Sequence, residues 1–209
     1  MALGLVGFGN IAQSVARKLT GWGMRVLATD PFVDPQGAEA LGVQLVNLDT
    51  LLRESDYVSL HVPLLPETRH LMSAREFSLM KPGAILVNTA RGPIVDTKAL
   101  LGALEKGKIG QAALDVFEEE PPPLSSPLRT HPRVLLTDHV AWYSEESQAE
   151  LKVTAAEEAV RVCTGGLPRS IANPEVLQRL GRLKEWTPNN TYRWQLKRLQ
   201  KLGKVSAIG

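Results

Sequence analysis

Gly7-Phe8-Gly9-Asn10-Ile11-Ala12 follows an apolar run over residues 3–6 and leads into a helix-like stretch. Glycines at that spacing, between a strand and a helix, can seat a pyrophosphate. Gly7 permits a sharp turn out of the strand, Gly9 lets the backbone approach phosphate closely, and the small Ala12 lets the helix pack tightly. The helix N-terminus then offers N–H groups and a positive dipole end. The bland alternative is a glycine-rich structural turn. A second feature favours the ligand. Residues 24–30 read as another apolar strand, and its last residue, Asp30, lies where an acid accepts hydrogen bonds from the adenosine ribose hydroxyls. A carboxylate there repels a 2′-phosphate, so NAD is favoured over NADP. Asp30 also fits a turn residue before Pro31.

Positioning those groups requires a frame of alternating strands and helices. Strands are predicted over residues 3–6, 24–30, 43–46, 57–62, 84–88, 110–116 and 134–137. Helices are predicted over 13–21 and 36–41, from near Asp49, over 73–80, over 96–106 with Asp96 as N-cap, and over 144–164. Ser144 is the N-cap of the last, Ser147 its rival, and Gly165-Gly166 its stop. This alternation implies an α/β fold, a Rossmann-type doubly wound parallel sheet that binds ligands beyond the carboxyl ends of its strands.

The chain has 209 residues and an ordinary 44% hydrophobic content, enough for one sizeable core. Charge is unevenly divided: residues 179–209 hold eight Lys or Arg against one acid, Glu185. The glycine turn lies so near Met1 that no domain is expected ahead of it. No apolar run approaches a membrane span and no signal pattern precedes the first strand, so a cytoplasmic protein is predicted. Cys163 is the only cysteine, which excludes an intrachain disulfide and a cysteine metal cluster. It reads as a half-buried helix residue, and no cluster has metal-ligand spacing.

Three further motifs follow strand ends: Asn88-Thr89-Ala90-Arg91-Gly92-Pro93, then Asp115-Val116-Phe117-Glu118-Glu119-Glu120-Pro121, then Asp138-His139-Val140-Ala141-Trp142-Tyr143-Ser144. Taken with the glycine turn and in this order, they resemble the NAD-binding domain of the D-isomer-specific 2-hydroxyacid dehydrogenases over residues 2–175. The segment from His139 to Glu145 is most similar to the C-terminal-binding-protein branch of that family.

The resemblance implies specific roles. Arg91 would hold a substrate carboxylate and carbonyl, for which a planar guanidinium is suited. His139 would be the acid–base group at the carbonyl oxygen. Glu120 would orient His139 and favour its imidazolium. Asp115 would contact the nicotinamide end, the loop from Val62 and Pro63 to Thr68 and the backbone of Thr89 and Ala90 would line the cofactor channel, and Trp142 would wall the substrate pocket. Cofactor contacts are thus expected at Gly7, Phe8, Gly9, Asn10, Ile11, Asp30, Val62, Pro63, Thr68, Thr89, Ala90, Arg91, Asp115, His139 and Trp142. Plain alternatives stand beside these. Arg91 fits a surface arginine, His139 a structural histidine and Trp142 a core residue. Glu118 and Glu119 read as a solvated acidic face, and His61 and His70 as structural or surface.

Two departures from the family bear on function. Asp138 replaces the proline usual before the histidine, and the lobe that the family places ahead of the glycine turn is expected to be absent. The organisation expected is a dinucleotide-binding domain over 1–143, a crossover helix and substrate-domain remnant over 144–177, and a basic tail over 178–209. The apolar residues Leu151, Val153, Ala155, Ala159 and Val160 of that helix would be partly exposed, which predicts a homo-oligomer, such as a dimer. Tyr192, Trp194, Leu196, Leu199 and Leu202 interleave with bases in the tail; a loosely ordered tail is favoured over an amphipathic segment for nucleic acid, a protein partner or a membrane. The implied activity is hydride transfer between NAD(H) and C2 of a small 2-keto or D-2-hydroxy acid. The alternatives are an NAD(H)-sensing, corepressor-like module and a chain that binds NAD without turnover.

Overall fold

The structure is a computed structural model describing residues 1–173, 175–182, 185–186, 197, 200, 201 and 203. Among these, seven strands form one parallel sheet: β1 (Ala2–Val6), β2 (Arg25–Thr29), β3 (Val43–Leu45), β4 (Tyr57–Leu60), β5 (Ala84–Asn88), β6 (Ile109–Leu114) and β7 (Val134–Leu136). Their order is β3-β2-β1-β4-β5-β6-β7. The connecting helices are α1 (Asn10–Lys18), α2 (Pro35–Glu39), α3 (Leu48–Glu54), α4 (Ala74–Leu79) and α5 (Thr97–Glu105); α6 (Glu145–Cys163) and α7 (Glu175–Arg179) follow the sheet.

Side-chain alternation along each strand feeds two cores. Leu3 and Leu5 of β1 face Phe8, Ala12 and Ala16 on one side of the sheet. Val6 faces the other side, with Leu27, Leu51, Leu60, Leu86, Phe77 and Leu100. Each such fully buried side chain contributes about 1.5–3 kcal/mol by leaving water. The chain winds one way from β1 to β3 and the other from β4 to β7, so the order reverses between β1 and β4. That crevice is where a doubly wound sheet binds its ligand.

The predicted elements are all present, with boundaries moved for local reasons. The fourth strand ends at Leu60 rather than residue 62: His61 N still donates to Val6 O at 2.7 Å, but Pro63 has no N–H with which to continue. α1 starts at Asn10 rather than 13 because Gly9, at φ −75° and ψ −167°, takes the N-cap place. Asn47 caps α3 through Thr50 N at 2.8 Å, leaving Asp49 in the first turn, where the helix dipole favours it. Asp96 caps α5 through Ala99 N at 3.0 Å. Ser144 and Ser147 share the cap of α6, each hydroxyl accepting the other's amide at 3.0 and 2.9 Å.

The chain divides into two compact units, Met1–Ala141 and Trp142–Gly209. In the second, α6 buries none of its residues, and Leu151, Val153, Val160 and Val162 are exposed along it. Cys163, read as half-buried, is exposed at the end of α6. Among the described residues no helix is long and apolar enough to cross a membrane. The sequence reading of the tail around Tyr192 to Leu202 lies outside the described residues.

Candidate active site

The two glycines of the first turn stand in different situations. Gly7 has φ +88°, and its N–H donates to Thr29 O at 2.9 Å. A Cβ there would lie 2.9 Å from the carbonyl carbon and oxygen of His61 and from Val62 Cγ1. The protein itself therefore demands glycine at position 7. At Gly9 a Cβ would meet no protein atom within 4 Å. The fold leaves that space open, directly ahead of an α1 N-terminus with no side-chain cap and no acid in its first turn. A cradle of this kind fits the pyrophosphate of NAD.

Asp30 takes the predicted turn role and also clamps the glycine loop. Its Oδ2 accepts Phe8 N at 2.9 Å, clamping the glycine turn, and its Oδ1 accepts Phe32 N at 2.8 Å, closing a turn around Pro31. A carboxylate has about four lone-pair sites, so acceptor capacity remains for a ribose hydroxyl. Phe8 turns inward: its ring is fully buried and its N–H is spent on Asp30, so the predicted contact at this position has no side chain to make it. Asn10 and the exposed Ile11 begin the helix. The loop after β4 is closed on itself by Thr68, whose hydroxyl donates to Pro63 O at 2.6 Å and accepts Leu65 N at 2.8 Å; Val62 is half-buried and Pro63 exposed.

Three neighbouring strand ends carry the remaining groups. Asp115 N donates to Asn88 O at 3.0 Å, and His139 N donates to Asp115 O at 2.9 Å. This backbone chain fixes the loops after β5, β6 and β7 against one another. Asn88, fully buried, braces the first: its Nδ2 donates to Arg91 O and its Oδ1 accepts Ala90 N, each at 3.0 Å. Thr89 and Arg91 are exposed, and Arg91 spends one guanidinium N–H on Ala90 O at 2.6 Å. Its other donors can still form a carboxylate fork.

His139 Nδ1 lies 2.9 Å from Glu120 Oε2, and both side chains are partly open to solvent. Burial opposes ionisation of Glu120, but the Phe117 amide, the His139 ring and the Arg91 charge outweigh it and hold its carboxyl below the usual range. His139 has φ +54°, a left-handed backbone rare for a side-chain-bearing residue. Asp115 holds it there. The Asp115 carboxylate is almost wholly buried and accepts Thr137 Oγ1 at 2.5 Å, Val140 N at 2.9 Å and Ala141 N at 3.0 Å. In this structure it latches the histidine loop, a job distinct from the predicted contact with nicotinamide.

Burial raises the Asp115 carboxyl's pKa, but those donors and the His139 charge lower it further, to below the ordinary aspartate value. The stability that its ionised form lends is complete above about pH 3.9, the unperturbed value, and is lost as pH falls through the depressed one. Asp115→Asn is therefore expected to cost about 1–3 kcal/mol near neutral pH, because an amide leaves a buried donor unpaired. Urea denaturation should show this loss, and the Val140 and Ala141 amides should exchange faster. The gap to the parent should narrow only below pH 4.

Other expectations are corrected or sharpened. Trp142 is 52% exposed, which rules out the core reading; its ring and that of Tyr143 stand nearly perpendicular, with centroids 5.6 Å apart, within the second unit. Glu118 is not merely a solvated acid: it binds His70 Nε2 at 2.6 Å and Thr97 N at 2.9 Å. His70 is thereby paired. His61 is structural: it hydrogen bonds Ser59 Oγ at 2.9 Å, and burial pushes its ring down to about 4. Among the described residues no group of three or more His, Cys, Asp or Glu could hold a metal ion.

The sequence profile of the D-isomer specific 2-hydroxyacid dehydrogenase family, NAD binding domain, matches residues 1–141. The D-3-phosphoglycerate dehydrogenase of Methanocaldococcus jannaschii is 42% identical over 187 residues, covering 88% of this chain and 36% of that protein. The glyoxylate reductase of Thermococcus litoralis is 41% identical over 175 residues, covering 84% of this chain and 53% of the relative. The solved D-lactate dehydrogenase with NAD+ from Lactobacillus jensenii aligns with a TM-score of 0.73 at 31% identity, covering 82% of this chain and 55% of that one. The chain thus spans about half, or less, of the length of the relatives it matches. These matches carry the family and not the branch that the segment from His139 to Glu145 resembles.

Proposed function

This chain belongs to the NAD-binding domains of the D-isomer specific 2-hydroxyacid dehydrogenase family, and we propose that it is the cofactor half of an oxidoreductase moving hydride between NAD(H) and C2 of a D-2-hydroxy or 2-keto acid. The observation that carries this is the His139–Glu120 pair at 2.9 Å, at the same carboxyl end of the parallel sheet as Arg91 and the open Gly9 cradle. NAD(H), when bound, supplies or takes the hydride. Arg91 binds the substrate carboxylate through its planar fork. Glu120 accepts from Nδ1 of His139, which leaves Nε2 to exchange the proton with the substrate oxygen. In reduction Nε2 gives that proton; in oxidation it takes it.

Gly7, Gly9, Asn10, Ile11 and Asp30 seat the adenosine diphosphate part, and the loops at Val62–Thr68 and Thr89–Ala90 flank the rest. The same reading places the protein in the cytoplasm and has it self-associate through the apolar residues of α6. A second reading concerns these 209 residues on their own: cofactor binding without turnover, since they span about half of that relative's length. Water exclusion and substrate positioning need two lobes.

The purified 209-residue chain is expected to bind NADH saturably in a fluorescence titration and to bind NADPH more weakly because of Asp30. It should reduce glyoxylate or hydroxypyruvate very slowly. Absence of NADH binding would overturn the proposal, and turnover at the rate of a full-length family member would overturn the second reading.

A further inference from the structure

One carboxylate ties the turn after β6 to the segments that follow β4 and β5. Glu118 leaves the turn after β6, two residues before Glu120. Its Oε1 lies 2.6 Å from His70 Nε2, in the segment that continues the Val62–Thr68 loop. Its Oε2 accepts Thr97 N at 2.9 Å, at the start of α5 and just past the Arg91 loop. The backbones beneath are already in contact. His70 N donates to Pro93 O at 2.8 Å, and Met72 N donates to Ile94 O at 3.1 Å. A Cβ on Gly92 would overlap the carbonyl of Phe117. His70 itself is held at φ +51°, one of two side-chain-bearing residues with positive φ among those described; the other is His139. The same short turn gives Phe117 N to Glu120 Oε1 at 2.9 Å. Glu118 and Glu120 therefore anchor its two ends, one outward to the neighbouring loops and one inward to His139.

We propose that Glu118, held by His70 and Thr97, is a positioning residue that aims the Glu120 carboxylate at His139. The proposal rests on His139 and Glu120 acting as the proton-handling pair. Without its two anchors the 117–120 turn can swing away from the Arg91 loop, and Glu120 then leaves Nδ1 of His139. Glutamine at 118 can still accept Thr97 N and keep the anchor, whereas alanine cannot.

The test is the position of the His139 Nδ1 resonance, read by nitrogen NMR at one fixed pH in the 209-residue chain and variants. E120A removes the acceptor from Nδ1 and sets the full displacement of that resonance. E118A is expected to reproduce most of that displacement, E118Q little of it, and H70A an intermediate part. If E120A moves the resonance but E118A does not, Glu118 has no positioning role. Equal displacements for E118A and E118Q would mean that charge alone acts, which also overturns the proposal. A resonance unmoved by E120A would reject the His139–Glu120 pair, and the role of Glu118 with it. Should E118A lose its cooperative thermal transition, H70A decides: it leaves the Thr97 anchor in place, and an unmoved resonance in H70A would overturn the proposal.

Discussion

Gly9→Val is expected to weaken NADH binding by about 100-fold or more, roughly 2.7 kcal/mol, while the fold loses no more than about 1 kcal/mol. The two effects separate because the protein makes no use of the space in front of Gly9. A Cβ there touches nothing within 4 Å, and φ −75° suits any residue. The stability cost comes only from exchanging glycine for a poorer N-cap. The binding cost comes from a branched side chain standing where the pyrophosphate must meet the α1 amides. Gly7→Ala is the contrasting variant. At φ +88°, against the His61 carbonyl, it should lose stability and binding together, with about 1–2 kcal/mol from the left-handed backbone alone. Fluorescence titration with NADH, read beside urea denaturation, checks both variants. A Gly9→Val chain that binds NADH within about threefold of the parent would remove the phosphate-cradle reading.

That contrast marks how far the sequence could be read. Parallel central strands are buried on both faces, so β1, β4 and β5 stand out as apolar runs, and glycine, proline and capping residues punctuate them. The spacing of Gly7, Gly9 and Asp30 was likewise legible, since the motif is local. Spacing alone could not show that Gly7 answers to His61 and Gly9 to a ligand; that distinction depends on a strand some 50 residues away. Arg91, Glu120 and His139 were found by resemblance, and the structure brings the last two together. The supports leave no mark in the sequence. Nothing about Asn88 there foretells that its two ends hold the Arg91 loop. Glu118 reads as a solvated acid, and its partner His70 lies 48 residues away. The resemblance points Asp115 outward, to the cofactor, while its carboxylate faces the loop that bears His139. Contacts between successive strand ends follow no local period, so composition and spacing leave no trace of them. The one usable signal is positional: polar residues directly after buried parallel strands must satisfy one another before they can serve a ligand.

Gly92→Ala is expected to destabilise the first unit by about 3 kcal/mol or more, the upper end of what overpacking costs. Gly92 is buried at the start of the turn Gly92–Ile94, and the Phe117–Glu118 peptide fills the space a Cβ there would take. The obstacle to a methyl group there is backbone, so no side-chain rotation can relieve the overlap. Either the 91–96 loop or the 115–121 turn must move, and both are tied down. The first is tied through Asn88 and the Met72 pairing, the second through Asp115 N to Asn88 O and Phe117 N to Glu120. Relief therefore breaks hydrogen bonds as well as contacts, and it separates Arg91 from Glu120. Amide exchange should accelerate at Thr97 and Phe117, whose N–H groups are held by Glu118 and Glu120. Gly102→Ala is the control: within α5 its Cβ meets nothing, and the change should stabilise by up to about 1 kcal/mol through helix propensity. Urea midpoints of the two variants measure the difference. A loss below about 1 kcal/mol for Gly92→Ala would mean that the two loops part easily. The close seating of Arg91 beside the Glu120 turn would then not be a fixed property of the fold.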